Sequence, residues 1–259
     1  MPLLSIEAVH RRFGGLKAVN DVSFVVEPGR IKAVIGPNGA GKTTLFNLIS
    51  GSLPLDSGCI LFNAKAIQGC KPHQIAALGL SRTFQNVELF PGMTVLENVM
   101  LGCHTRSGAG FLAGMCCAPW TWGEEIRVRE RALAALEFLR LAGHGGTEAC
   151  SLPFGQQRLV ELARALASEP LLLLLDEPAA GLNMRETEEL ARLICQIRDR
   201  RITVLLVEHD MSLVMGISDE IVVLNSGMKI AEGPPSAIQG NEEVIRVYLG
   251  ADDADGKEP

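Results

Sequence analysis

Residues 36–44, Gly-Pro-Asn-Gly-Ala-Gly-Lys-Thr-Thr, place glycines, a lysine and two hydroxyls at a spacing that holds phosphate: Gly36, four residues, then Gly41, Lys42 and Thr43. Such a loop curls successive backbone N–H groups around phosphate oxygens at a helix N-terminus, where the dipole favours anions. Gly36, Gly39 and Gly41 permit backbone that a Cβ would hinder. Lys42 supplies positive charge to the β- and γ-phosphates and the Thr43 hydroxyl is a ligand for Mg²⁺, while Pro37, Asn38, Ala40 and Thr44 complete the loop. A second pair of groups, Asp176-Glu177, closes the apolar run Leu171–Leu175. An acid at that place is the usual metal-side partner of a phosphate loop, Asp176 holding Mg²⁺ mostly through water. Glu177 is then placed to orient or deprotonate an attacking water. His209 closes the apolar run Ile202–Val207 through Glu208, at the strand edge where parallel sheets bind ligands; it reads equally as a capping or half-buried histidine. Together these residues describe a nucleoside triphosphate site.

These groups need an α/β frame. Ile31–Ile35 reads as a short buried strand and Leu45–Ile49 continues with helical spacing. Further strands are expected at Leu3–His10, Val22–Val26, Cys59–Phe62, Leu171–Leu175, Ile202–Val207, Ile221–Asn225 and Met228–Glu232, the last two a hairpin around Ser226-Gly227. Residues 81–85 read as a polar strand end. Helices are expected at Pro72–Leu80, Met93–Leu101, Glu124–Leu141, Arg158–Ala167, Thr187–Asp199 and Glu242–Leu249. Thr94 and Glu97 have the capping-box spacing, and Leu133, Leu136, Phe138 and Leu139 form the expected apolar face of the Glu124–Leu141 helix. Phe13, in a glycine-bearing turn at residues 11–15, is either a hairpin aromatic or a ring for a purine to stack on. Gln85, taken alone, is a loop glutamine. Residues 108–122, apolar and holding both tryptophans, either meet an apolar partner or fold back on their own lobe.

At 259 residues the chain can bury a large core, and 24 basic against 30 acidic residues give a net charge of −6, which argues against nucleic-acid binding by general electrostatics. Seven cysteines form no CxxC pair and no metal spacing, as expected of reduced thiols in a cytosolic setting. Adjacent Cys116-Cys117 is a redox element or a buried pair of small residues. The first residues lack the basic and apolar regions of a secretory leader, and no uncharged apolar run reaches the roughly twenty residues that span a bilayer.

In this order, the motifs closely resemble those of the ATP-binding-cassette (ABC) ATPases over essentially the whole chain. The resemblance implies an α/β fold: a P-loop NTPase (RecA-like) core at 1–86 and 157–235, with an antiparallel β-subdomain and an inserted helical subdomain at 87–156, all in a single domain 1–250 before an acidic flexible tail at 251–259. It implies ATP and Mg²⁺ as ligands. Phe13 would stack on adenine, Gln85 would touch Mg²⁺ and the water and relay to membrane subunits, and His209 would contact the γ-phosphate. Leu152-Pro153-Phe154-Gly155-Gln156 corresponds to the signature motif Leu-Ser-Gly-Gly-Gln, which closes over the nucleotide of an opposing subunit. Pro153 replaces the signature serine and Phe154 a glycine, so one γ-phosphate hydrogen bond is expected to be lost. The stretches 12–16, 82–85, 178–183, 208–211 and Tyr248-Leu249-Gly250 look like the ATPase subunits of bacterial branched-chain amino acid importers, where Leu-Pro-aromatic-Gly-Gln signatures are familiar. The partners so implied are two integral membrane permease subunits, a second ABC ATPase subunit (a copy or a sister chain) and, indirectly, an extracytoplasmic substrate-binding protein, with no nucleic acid. The implied location is peripheral, on the cytoplasmic side of the inner membrane. Related urea and amide importers, a soluble cassette ATPase of DNA repair or translation, and a nucleotide-gated scaffold with little hydrolysis are the competing readings.

Overall fold

The computed structural model describes residues 1–106 and 121–252. The run of five buried residues at β3 (Ile31–Ile35) and the equally apolar β7 (Leu172–Asp176) and β8 (Thr203–Val207) lie side by side as parallel strands. With β6 (Leu80–Arg82), β9 (Glu220–Asn225) and β10 (Met228–Gly233) they form a six-stranded sheet of order β10-β9-β3-β8-β7-β6, in which only β10 runs antiparallel. Both faces of this sheet are covered, which is why its strands read as unbroken hydrophobic runs. A second, antiparallel sheet has the order β2-β1-β4-β5, built from β1 (Leu4–Phe13), β2 (Leu16–Val26), β4 (Ser57–Phe62) and β5 (Lys65–Ala66).

Strand alternation divides the core in two. Leu172, Leu174, Leu205, Val207 and Val222 point to one side, where α1 (Lys42–Ile49) buries Leu45, Phe46, Leu48 and Ile49 between the sheets. Leu173, Leu175, Val204, Leu206 and Val223 point to the other side, against α3 (Val95–Met100), α4 (Thr121–Phe138), α5 (Phe154–Ala167), α6 (Met184–Asp199) and α7 (Met211–Ile217). Each such buried side chain contributes about 1.5–3 kcal/mol relative to exposure. Lys32 is carried into this apolar frame because its ammonium donates to Val25 O at 2.6 Å and pairs with Glu220 and Glu232, tying β2, β9 and β10 together.

Local signals explain most element ends. Thr94 accepts from the Glu97 amide while the Glu97 carboxylate accepts from the Thr94 amide, the expected capping box of α3. Asn183 and Glu186 do the same for α6, which therefore starts at Met184 rather than Thr187. α5 starts at Phe154 rather than Arg158, with Pro153 at its N-cap. α2 (Pro72–Ala77) stops short of Leu80 because Gly79 turns the chain at φ +104° into β6. α4 starts at Thr121 and ends at Phe138 rather than Leu141, Arg140 adopting φ +59°. Its buried face is Ala132, Ala135 and Leu136, with Leu139 buried just beyond its end, and Leu133 is exposed. The first hairpin is longer than expected: Arg11, Arg12 and Phe13 belong to β1, and only Gly14-Gly15 separates it from β2. Register shifts after Ile6, Val9 and Arg11 break the alternation, hiding a strand among polar residues. Residues 108–120, with Trp120 and Cys116-Cys117, lie outside the described residues.

After the short α8 (Pro235–Gln239), α9 (Glu242–Asp252) runs three residues beyond its expected end and takes in the first two residues assigned to the tail; 253–259 lie outside the described residues. α9 brings Tyr248, the chain's single tyrosine, against the larger core. Burial pushes the Tyr248 hydroxyl up to about 12, the nearby Gly36 amide offsetting this only in part. Tyrosinate absorbance in an alkaline titration therefore reports this one residue, and its midpoint is expected well above the ordinary value of 10.0. A raised acid pKa contributes stability below the unfolded value that is lost as pH climbs from about 10 to about 12. A midpoint at the ordinary value would mean that Tyr248 is not seated against the core.

Candidate functional site

β3, β7 and β8 end at one edge of the large sheet, and their register sets the site. Val34 pairs with Val207 and Val207 with Asp176, so the phosphate loop, Asp176-Glu177 and Glu208-His209 emerge side by side. The loop enters α1 through Gly41, left-handed at φ +100° and offering no side-chain cap, so the first-turn amides of α1 remain available to an anion. Two glycines are fixed by the protein itself. A Cβ on Gly36 would stand 2.2 Å from Leu224 O, and one on Gly41 2.3 Å from Ala18 O. Lys42 is buried, its ammonium donating to Gly36 O at 2.7 Å and Pro37 O at 3.0 Å. Burial lowers its pKa, and the Glu177 and Asp176 carboxylates oppose that shift.

The two acids have different partners. Asp176 is 2% exposed, and its Oδ2 accepts from Arg82 Nη2 at 2.8 Å. Glu177, at φ +48°, accepts from Gln85 Nε2 at 2.8 Å through Oε2, while His209 Nε2 lies 3.0 Å from Oε1. Facing a carboxylate, that ring nitrogen carries the proton. Glu208 is buried too and accepts three backbone amides, Ala179 at 2.7 Å, His209 at 2.8 Å and Asp210 at 3.3 Å, which locks the two loops that bear Glu177 and His209 to each other.

A cleft of about 560 Å³ is lined by Phe13, Asn38, Gly39, Ala40, Gly41, Lys42, Thr43, Thr44, Gln85, Glu177 and His209; Gly36, Pro37 and Asp176, the last buried against Arg82, do not line it. Leu16, Lys17, Ala18 and Ser226 also line it. Sequence reasoning did not find these, because they come from hairpins far apart in the chain; the lysine following the turn glycines was the available signal. The Phe13 ring is 45% exposed, with the Arg11 guanidinium 5.0 Å from its centroid. An exposed ring at the cleft mouth suits a base. Phe13→Ala is expected to weaken ATP binding by about 1–3 kcal/mol, roughly 5- to 150-fold, and to leave inorganic tripolyphosphate binding unchanged. Calorimetric titration with both ligands checks this.

Leu152, Pro153, Phe154, Gly155 and Gln156 do not line this cleft. They open α5, with Leu152 buried and Phe154 46% exposed against Gly181, where an added Cβ would stand 2.8 Å from the ring. α5 also fastens the strand end that carries Gln85. Arg158 donates to Phe84 O at 3.0 Å and Gln85 O at 2.5 Å, and reaches Ala180 O at 3.5 Å. Glu161 accepts the Phe84 amide at 3.1 Å, and Arg164 donates to Glu88 O at 2.6 Å. Burial pushes the Glu161 carboxyl up, against the Phe84 N–H and its two arginine neighbours.

The donors suit hard ligands. No cluster of three or more His, Cys, Asp or Glu among the described residues could cage a metal by itself. A hydroxyl, a carboxylate and a carboxamide on the phosphate side fit Mg²⁺, which takes its remaining ligands from phosphate and water. The five described cysteines are all free thiols.

A family model described as ABC transporter matches residues 19–180. The chain belongs to the ABC transporter ATPase family. A second model, of the branched-chain amino acid ATP-binding cassette transporter, matches residues 228–254. The high-affinity branched-chain amino acid transport ATP-binding protein LivG of Escherichia coli is 45% identical over 250 residues, 96% of this chain and 98% of the relative. The corresponding BraF of Pseudomonas aeruginosa is 46% identical over the same shares. Among solved structures, the ADP conformation of MJ1267, an ATP-binding cassette of an ABC transporter, superposes with a TM-score of 0.83 at 34% identity, covering 96% of this chain and 99% of that one. The expected α/β cassette fold is thus the observed one, and the chain is an ATP-binding, ATP-hydrolysing ABC subunit. No helix among its described residues is long and apolar enough to cross a membrane.

Proposed function

We propose that this ATPase powers uptake of branched-chain, hydrophobic amino acids from the cytoplasmic face of the inner membrane, through two integral membrane permease subunits fed by an extracytoplasmic substrate-binding protein. The observation that carries the reading is the joining of Lys42, Glu177, Gln85 and His209 in one cleft of a chain 45% identical to LivG. Phe13 takes the adenine, the amides of residues 38–44 take the phosphates, and Lys42 exchanges its two loop carbonyls for β- and γ-phosphate oxygens. Thr43, Asp176 and Gln85 would hold Mg²⁺, and the ion would supply positive charge against that developing on the phosphates. Glu177, freed from Gln85 and His209, takes the proton of the attacking water, and His209 turns to the γ-phosphate. Leu152–Gln156 of a second ATPase subunit closes over this nucleotide, with the uncapped start of α5 standing in for the missing signature serine.

The region 87–156 is assigned to the face that meets the permease. A groove of about 590 Å³ lies between it and the sheet edge, with Phe84 and Phe90 exposed in its wall and Glu88, Glu161 and Arg164 beside them. An apolar groove with charged rims suits an amphipathic helical segment of a membrane subunit. Its floor is the strand end that carries Gln85, so seating and hydrolysis share one segment.

The test is purification of the chain from its native cell in mild detergent, with co-purifying proteins identified by mass spectrometry, followed by leucine, isoleucine and valine uptake in a strain lacking it. Two polytopic membrane proteins, a second cassette ATPase and a loss of uptake are expected. Soluble or nucleic-acid-bound partners would overturn the importer reading, and intact uptake of these amino acids with loss of urea or amide uptake would overturn the cargo.

A further inference from the structure

Arg82 is a buried arginine that neither the phosphate loop nor the proposed hydrolysis uses, yet it touches both sides of the site. β6 pairs Arg82 with Leu174, two residues before Asp176, and this register delivers its guanidinium to the acid. Nη2 donates to Asp176 Oδ2 at 2.8 Å, while Nη1 donates to Asn47 Oδ1 at 2.7 Å and Ser50 Oγ at 2.9 Å. The pair is almost wholly buried, with side-chain exposures of 8% and 3%. Phe46 and Phe84 flank the guanidinium, their centroids 5.9 and 5.3 Å away. One planar fork therefore joins β6, the acid of β7 and the helix whose first turn carries Lys42 and Thr43.

We propose that Arg82 is a positioning residue for the metal side of the reaction: it fixes the Asp176 carboxylate against α1 and partly compensates its charge. Because Oδ2 is committed to Arg82, the Asp176 carboxylate is held in a single orientation, with its other oxygen left for the metal side. The fork geometry is what arginine offers over lysine, since two nitrogens are directed at once by a rigid plane. The charge does a second thing. A guanidinium on the same carboxylate opposes a divalent cation there, so the acid does not clasp metal before nucleotide arrives. Charge and geometry thus pull on different quantities, metal affinity for the first and turnover for the second.

The experiment uses the full chain with Arg82→Gln and Arg82→Lys. It reads thermal melting in EDTA, binding of fluorescent ADP without Mg²⁺, the Mg²⁺ concentration that half-completes the change on titrating that complex, and single-turnover hydrolysis at saturating Mg²⁺. For Arg82→Gln, turnover is expected to fall by about 10- to 100-fold, the usual cost of losing an outer partner of a metal ligand. Its Mg²⁺ midpoint is expected to drop by about three- to tenfold, the opposite sign to that usual cost, because the opposing charge is gone. Metal-free ADP binding stays within about twofold, since neither Arg82 nor Asp176 lines the cleft. Arg82→Lys is expected to restore the midpoint but not the turnover. The proposal is overturned if Arg82→Gln leaves midpoint and turnover unchanged, or if metal-free binding and midpoint weaken together as for a general structural brace. Should Arg82→Gln fail to fold, Arg82→Lys decides: wild-type turnover there removes the role of the fork.

Discussion

Glu177→Gln is expected to lower ATP turnover by about 10²–10⁴-fold, the usual contribution of a positioned general base, while ATP still binds. The substitution keeps size and shape. A glutamine carbonyl still accepts from Gln85 Nε2, which now lies 2.8 Å from Glu177, and the left-handed backbone at φ +48° is untouched. What disappears is basicity and one negative charge. Loss of that charge also removes repulsion of the triphosphate, so ATP affinity is expected to equal or exceed that of the parent chain. Phosphate release measures the first effect and equilibrium titration the second. With Mg²⁺ and ATP, size-exclusion chromatography is expected to show a trapped two-subunit form. Unchanged turnover would sink the role assigned to Glu177.

Lys42→Ala is expected to act on the other quantity, removing nucleotide affinity. Two charge-assisted hydrogen bonds to phosphate, at about 1.5–3 kcal/mol each, correspond to a loss of about 10²–10⁴-fold in ATP binding. Adenosine binding, which owes nothing to the ammonium, is expected to persist, while loss of the donor to the buried Gly36 carbonyl is expected to lower the melting temperature modestly. The same lysine gives the site a pH dependence. Burial lowers its pKa in the nucleotide-free protein, and phosphate favours the charged form. ATP binding is therefore expected to draw in a proton at alkaline pH and to weaken as pH rises towards the ordinary lysine value of 10.5. Calorimetry in buffers of different ionisation enthalpy reads that proton directly.

What could be read from the chain and what could not divide along physical lines. Leu171–Leu175 and Ile202–Val207 were legible because strands buried on both faces leave unbroken apolar runs, and their last residues then had to lie at one edge with the phosphate loop. Lone charged residues were illegible. Arg82 and Glu208 look like ordinary polar strand ends until the register brings an acid or three amides to them. Bulges interrupt the alternation of β1 and hide its last three residues, and α7 is hidden because its capping residue, Asp210, sits inside a functional motif. Gly36 and Gly41 were expected to make room for phosphate, whereas the close approach that fixes them is that of two carbonyls, from Leu224 and Ala18. The signature stretch was recognisable only by resemblance: nothing in one subunit brings Leu152–Gln156 to the cleft, because its partner nucleotide is proposed to belong to another chain.

Both oxygens of Glu177 are engaged, one by the Gln85 amide and one by His209. Gln85 in turn hangs from Arg158 on α5, through a main-chain carbonyl at 2.5 Å. A carboxylate whose two oxygens are each already hydrogen-bonded is a weaker base, and it recovers strength when its neighbours let go. With Glu177 as the proposed base, this double hold is expected to limit idling: a subunit away from its assembly would carry its fuel with the ignition locked, its leak following how often two hydrogen bonds open together rather than how often ATP arrives.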